Sequence, residues 1–315
     1  MNLEDAAERA VNVFLWVKKG ENVLIITDKE KKKIGEALAK ASRKVTPHAE
    51  LIEVDISGFR GMEPPAEAAE KMKKSDVVFA PLSVSLSHTK ARQDACASGA
   101  RIVTMPGITE NMFRRGIEVD PEKLVQRTNA IADILDRGSE VLVESEAGTY
   151  LRFSINGRTA WRTTGINREK GFFSNLPGGE AFIAPVEGTA NGIHVVDGSI
   201  LGQKVGFPIK ITVEDGKAVG FEGGELAERL DQTVQSAKAR GRNIAEFGIG
   251  TNDRSRISGN VLEDEKVLGT VHIALGNNIR IGGKTDANIH VDGVILKPSF
   301  SVDGKKIMEK GKLLL

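Results

Sequence analysis

The chain has 315 residues, enough for two domains that each bury a core. Its 44 lysines and arginines stand against 43 aspartates and glutamates, so bulk charge argues for neither nucleic acid nor a membrane surface as partner. The single cysteine, Cys96, excludes an internal disulfide framework and fits a reducing cytoplasm.

The opening "MNLEDAAERAVNVFLWVKKG" reads as an amphipathic helix with acids in its first turn, not as a signal peptide. No apolar stretch approaches the ~18–20 residues that span a bilayer. The expectation is a soluble cytoplasmic protein with no membrane partner. Short apolar runs then alternate with helical patterns. Residues 22–27, 49–54, 76–80 and 101–105 read as buried strands, and 30–44, 64–74, 88–98 and 121–136 as helices. Such alternation predicts an α/β domain of Rossmann or flavodoxin type, a parallel sheet whose function gathers at the strands' carboxyl ends. At one such end, "SLSHTKAR" (85–92) opens a helix for which Ser87 can serve as N-cap. His88, Thr89 and Arg92 would there offer polar groups to an anion or substrate. The plainer alternative is a capped helix whose histidine faces water. Cys96, in "QDACASGA", reads as an inert thiol at a packed helix end.

From residue 139 the rhythm changes. Glycines become dense, strands follow one another directly, and only 224–240 reads as a helix. The turn signals Glu214-Asp215-Gly216 and Val302-Asp303-Gly304 mark tight reversals. This predicts a β-rich α+β domain over 139–315 behind an α/β domain over 1–138.

Five ionisable residues in this second half sit in or at apolar strand-like runs: Glu180, Glu246, His272, His290 and Asp292. Burying such groups is costly unless they are paired or bind a cation. For any one of them a hydrogen-bonded structural role is the simpler explanation. Together, imidazoles and carboxylates suit a divalent transition metal, or two ions sharing a bridging carboxylate. Calcium would leave the histidines unused. No CxxC or HExxH motif is present. His194, in "ANGIHVVDG", has Asp197 three residues on, which puts the two on opposite faces of a regular strand. It reads as a pocket residue or a structural one.

Four segments, "NLPGGEAFIAPVEGT", "NIAEFGIGTN", "DEKVLGTVHIALG" and "NIHVDG", resemble in order the ligand-bearing segments of the aminopeptidase T family of cocatalytic metallopeptidases. The resemblance implies metal ligation by Glu180, Glu246, His272, His290 and Asp292, with Glu265 a further acidic candidate. It implies two divalent ions (zinc, cobalt or manganese), Glu180 or Glu246 as proton acceptor for the attacking water, a peptide substrate and a homodimer. The chain departs from that family where Ile279 stands in place of an expected tyrosine, which leaves metal binding intact and weakens peptide hydrolysis.

"SHTKAR" also resembles another branch of the same superfamily, the 2,5-dihydroxypyridine 5,6-dioxygenases. That resemblance implies a mononuclear Fe(II) on His272, His290 and Asp292, with His88 as acid or base. The sequence alone ranks the aminopeptidase first, the ring-cleaving dioxygenase second, and a non-catalytic metal- or ligand-binding protein third.

Overall fold

The computed structural model describes residues 1–55 and 63–315. Helix α1 (Leu3–Arg9) is capped by Asn2, whose side chain accepts from Asp5 N, and continues as a wider turn over Ala10–Phe14. It ends well short of the helix predicted over the first twenty residues, because Trp16 turns to a positive φ of 47°. The chain then alternates: β1 (Val23–Thr27), α2 (Lys32–Arg43), β2 (Ala49–Glu53), α3 (Ala66–Lys74), β3 (Val77–Leu82), α4 (Lys90–Ala97), β4 (Arg101–Pro106), α5 (Glu110–Gly116) and α6 (Pro121–Arg137). Strands β1 and β3 are buried along their whole length, as expected of parallel strands covered on both faces.

Strands β5 (Glu140–Glu144), β6 (Tyr150–Ser154) and β7 (Trp161–Thr163) precede β8 (Phe173–Asn175). β8 pairs in parallel with β4, completing the sheet order β2-β1-β3-β4-β8. The sequence reading missed β8 because three residues carry no periodicity. The order reverses between β1 and β3, the usual crevice for ligands. Here Asp28 fills it, accepting from Glu30 N at 2.9 Å, Lys31 N at 3.0 Å and Ser83 N at 2.5 Å.

The chain packs as two units, Met1–Leu124 with Thr163–Gly178, and Val125–Arg162 with Gly179–Leu315. The division therefore falls inside α6 rather than near Gly138, and the β8 segment returns to the first unit through its pairing with β4.

The second unit continues with β9 (Glu180–Ile183), β10 (Asn191–Val196), β11 (Ser199–Ile200), β12 (Gln203–Lys204), β13 (Ile209–Glu214) and β14 (Lys217–Glu222). Helices α7 (Glu225–Ser236) and α8 (Lys238–Gly241) replace the single predicted helix, which breaks at Lys238, φ 56°. Then come β15 (Ile244–Gly250), α9 (Val261–Asp264), β16 (Thr270–Gly276), β17 (His290–Leu296), β18 (Ser299–Val302), β19 (Lys305–Glu309) and β20 (Lys312–Leu313). Both turn signals form two-residue hairpin loops. Asp215 and Gly216 have φ 45° and 75°, Asp303 and Gly304 φ 49° and 79°, the left-handed pair that matches strand twist.

An eight-stranded sheet, β14-β13-β10-β6-β5-β18-β19-β20, and a five-stranded sheet, β17-β16-β15-β9-β7, share one core. Val141, Val143, Leu151, Phe153 and Ile211 come from the first, and Ile183, Phe247, Ile249, Val271, Ile273 and Ile295 from the second. Phe247 joins the sheets edge to face, its ring centroid 5.3 Å from Phe153 and 5.5 Å from Phe300. Among the described residues no helix is long and apolar enough to cross a membrane.

Candidate metal centre

Side chains alternate across a strand, so committing one face of the five-stranded sheet to the core turns the other residues outward together. On β16, Val271, Ile273 and Leu275 enter the core, which leaves His272 on the far face. On β9 the core takes Ala181 and Ile183, leaving Glu180 and Phe182 beside it. Register then sets the neighbours: His290 opposes Gly276, Asp292 opposes Ala274, Glu246 opposes Ala274 from the other side, and Gly248 opposes His272. A β-bulge between Ile244 and Glu246 matters here. In a regular strand these two would share a face; the bulge lets Ile244 enter the core while Glu246 faces outward. Gly248 supplies the last requirement. A Cβ there would stand 2.0 Å from His272 Nε2, so the imidazole lies over a position only glycine can fill.

The result is a cluster spread over four strands. Glu246 bridges it, its Oε1 3.2 Å from His272 Nε2 and its Oε2 3.3 Å from His290 Nε2. His290 Nε2 also lies 3.4 Å from Asp292 Oδ1, a buried oxygen with no hydrogen-bond partner among the described residues. His290 Nδ1 is 2.8 Å from the Asn277 carbonyl. A carbonyl only accepts, so Nδ1 carries the proton and the tautomer aims Nε2 at the carboxylates, the arrangement a metal-ligating histidine needs. Glu180 Oε2 lies 3.7 Å from His272 Nε2, and Glu180 Oε1 accepts from Lys266 Nζ at 2.8 Å.

Among the described residues, potential ligand atoms group into two triplets, each within 4.8 Å: Glu246, His290 and Asp292; and Glu180, Glu265 and His272. The triplets differ in access. His290 keeps 32% of its side chain exposed, whereas Lys266, between Glu180 and Glu265, is fully buried. The donor set fits a divalent transition metal, because carboxylate and imidazole atoms converge and, among the described residues, the buried Asp292 Oδ1 has no hydrogen-bond partner.

Electrostatics point the same way. Burial alone would lower the His272 pKa, yet its hydrogen bond to Glu246 and the charges of Glu180, Glu246 and Asp292 raise it to about 9. His290 is likewise raised well above its ordinary value, the Asp292 and Glu246 carboxylates overcoming desolvation. Burial would raise Glu246, but its two histidines hold it far below the usual carboxylate range. Glu265 moves up, to about 8, through burial and the nearby Glu180 and Asp292 charges, against the pull of Lys266.

The remaining predicted residues sit elsewhere. His194 is wholly buried on β10, with neither ring nitrogen hydrogen-bonded among the described residues, and desolvation pushes its pKa down to about 3. Its Nε2 would be 3.1 Å from a Cβ at Gly293, which points to the core side of β17. It thus lies on the opposite face from Asp292, not in a pocket beside it. Its Asp197 neighbour accepts from Leu296 N at 2.7 Å. In the first unit, α4 is capped by Thr89 rather than Ser87. The Thr89 hydroxyl accepts from Arg92 N, while Ser87 Oγ bonds Thr104 Oγ1 at 2.7 Å. Arg92 Nε donates to Ser87 O at 3.0 Å and the guanidinium lies 4.4 Å from the Phe173 ring centre, a packing role within that unit. His88 is exposed at the same turn. Cys96 is half-buried, its thiol pushed up by burial. Ile279 is 46% exposed on a short 3₁₀ turn, Ile279–Ile281.

Sequence reasoning overlooked Lys266 and the aromatic pair Trp161–Phe182. The rings of that pair are nearly parallel at 6°, with centroids 6.2 Å apart. Phe182 opposes Gly248 on the face that carries His272, so no side chain of β15 stands between its ring and the imidazole. The one available signal is the run of three consecutive acids before Lys266 in "LEDEKVLG", outside any amphipathic helix.

Residues 13–315 match the family model of the 2,5-dihydroxypyridine 5,6-dioxygenases, NicX. No curated protein matches the sequence. Among solved structures, the 2,5-dihydroxypyridine dioxygenase from Pseudomonas putida KT2440 is similar at a TM-score of 0.84, with 19% identity over 99% of this chain and 96% of that one. Wild-type AmpT from Thermus thermophilus is similar at 0.73, with 18% identity over 100% and 99%. At such identities the two structures speak to the fold, which both share with this chain. The family match, spanning almost the whole sequence, goes further: the chain belongs to the 2,5-dihydroxypyridine 5,6-dioxygenase family.

Proposed function

We propose that this chain is a mononuclear Fe(II) dioxygenase that cleaves a dihydroxylated aromatic ring, the reading that the sequence alone ranks second. The observation that carries it is the neighbourhood of the open ligand triplet. The face that holds Glu246, His290 and Asp292 also holds Phe182, stacked on Trp161, which favours a flat aromatic substrate over a peptide backbone. The family match supports the same reading.

In this reading Glu246, His290 and Asp292 hold the ion, one imidazole with two carboxylates. His272 then contributes through its hydrogen bond to Glu246 rather than as a ligand of a two-histidine triad. When bound, the ion supplies the redox chemistry by which both atoms of dioxygen enter the ring as one of its bonds breaks, so no external reductant is consumed. The Asn277 carbonyl fixes His290, and His272 fixes Glu246. Phe182 and Trp161 offer an apolar wall that excludes water from one side of the ring.

The second triplet, Glu180, Glu265 and His272, favours the two-ion aminopeptidase instead and keeps that reading as the alternative. The deciding experiment reconstitutes the protein with Fe(II) without air, adds 2,5-dihydroxypyridine and oxygen, and follows oxygen uptake. Stoichiometric uptake is expected. Release of amines from aminoacyl amides under anaerobic conditions, with no oxygen uptake on the ring, would overturn the proposal. Bound metal with neither activity would point to a non-catalytic binding protein.

A further inference from the structure

We propose that Lys266 is a built-in cation standing where a second metal ion would bind, and that removing its charge opens a divalent-cation site at Glu180, Glu265 and His272. This holds for the cluster whichever reaction the open triplet performs.

The Lys266 ammonium lies 2.8 Å from Glu180 Oε1 and 2.5 Å from Glu265 Oε1. Those are two of the residues whose ligand atoms, with His272, converge within 4.8 Å. A divalent transition ion bonds carboxylate oxygens at ~2.0–2.2 Å, so it would have to occupy the small volume the ammonium already fills. The two cations exclude each other by size and by charge. Lys266 has no alternative place to go. Its side chain has no exposed surface, its backbone N–H donates to Glu263 O at 3.0 Å, and its carbonyl accepts from Asn252 N at 2.8 Å. The preceding acids are spent on the adjoining loop: Glu263 accepts from Arg256 N, and Asp264 from Ser258 N and Gly259 N. They neither compete for the ammonium nor release it. Glu180 and Glu265 therefore receive a fixed single charge from the chain itself, where a two-ion enzyme would recruit a metal. The open triplet, whose ion-pair partners among the described residues are its own histidine and His272, is left as the place for an exogenous ion.

The test counts zinc. Wild type, Lys266→Met, Lys266→Arg and Lys266→Met/Glu265→Gln are stripped with chelator, titrated with Zn(II), and read by native mass spectrometry and calorimetry. Wild type and Lys266→Arg are expected to take one ion per chain. Lys266→Met is expected to take two, the second at least 100-fold tighter than any second ion on wild type, and the double variant loses it again. Stripped Lys266→Met should melt below wild type and recover with the second equivalent. Two tight ions on wild type, one on Lys266→Met, or a Lys266→Met chain that cannot fold in excess Zn(II) would each overturn the proposal. Oxygen uptake by the wild type is scored separately, so failure of the dioxygenase reading leaves this count intact.

Discussion

Gly248→Ala isolates the geometric core of the site. Gly248 does not lie in the left-handed region, so alanine carries no backbone strain there and acts through its Cβ alone. That atom would stand 2.0 Å from His272 Nε2 and 2.2 Å from Cε1. Ordinary contact needs roughly 3.5 Å, so the imidazole must retreat by about 1.5 Å. The 3.2 Å bond from His272 to Glu246 cannot survive such a shift. A lost hydrogen bond to a charged group costs about 1.5–3 kcal/mol and overpacking about 1–3, which together predict a loss of roughly 2.5–6 kcal/mol. At ~2–4 °C per kcal/mol the melting midpoint should fall by roughly 5–24 °C. Freed from His272, Glu246 should also bind metal about 10–100-fold more weakly. Scanning calorimetry and metal titration read both effects. Gly220→Ala is the control, because its Cβ would meet Thr212 at an ordinary 3.6 Å. An unchanged midpoint and metal affinity in Gly248→Ala would refute the reasoning.

Three further expectations follow from the same structure. In the chelator-stripped chain, His272 titrates near 9 against 6.5 unfolded, so its stabilisation is complete below pH 6.5 and lost as the pH rises through 9. The raised Glu265, near 8, pulls in the same direction. His272 alone should give urea denaturation a fall on the order of 3 kcal/mol from pH 6 to 9.5, which Glu265 deepens, and a flat profile would contradict the cluster's electrostatics. In the first unit, Arg101 is nearly buried and held by Glu21 through bonds of 3.0 and 2.8 Å. Glu21→Gln should cost about 2 kcal/mol, discounted because Glu21 is partly exposed. Burial opposes the lowered Glu21 pKa but Arg101 outweighs it, so the pair's stabilisation is present above pH ~4.5 and lost in acid. Acid melts of the two chains should converge; a constant gap would reject the pairing. Trp161→Ala should raise KM for 2,5-dihydroxypyridine about 2–10-fold at unchanged kcat, the worth of one stacking contact, and an unchanged KM would remove the aromatic wall from the proposal.

How far the sequence could be read follows from which signals are local. The runs of β1 and β3 are legible because both faces are buried and nearly every residue is apolar, whereas β2 is partly exposed and carries Glu50 and Glu53 among its apolar residues. The short β8 is not, because its identity comes from pairing with β4 across intervening strands of the other unit. Glu246, His272 and Asp292 stand out because ionisable residues in apolar strands are costly, and no contact need be known to notice them. Their convergence on one face required the register and the bulge before Glu246, neither of which leaves a mark in composition. Lys266 escaped because a lysine after three acids reads as a solvated charge; only the fold buries it. Ser87 and Thr89 are both competent caps, and the hydroxyl of Thr104 claims Ser87. His194 looked like a partner of the site, but its strand belongs to the other sheet and its ring points into the core side of β17.

The most direct test of the site is an anomalous-scattering map from crystals of the chain loaded with Mn(II) or Fe(II). A single strong peak bounded by Glu246, His290 and Asp292, with Lys266 still joined to Glu180 and Glu265, is the expected result. A second peak at Glu180, or a peak away from all of these residues, would contradict the account.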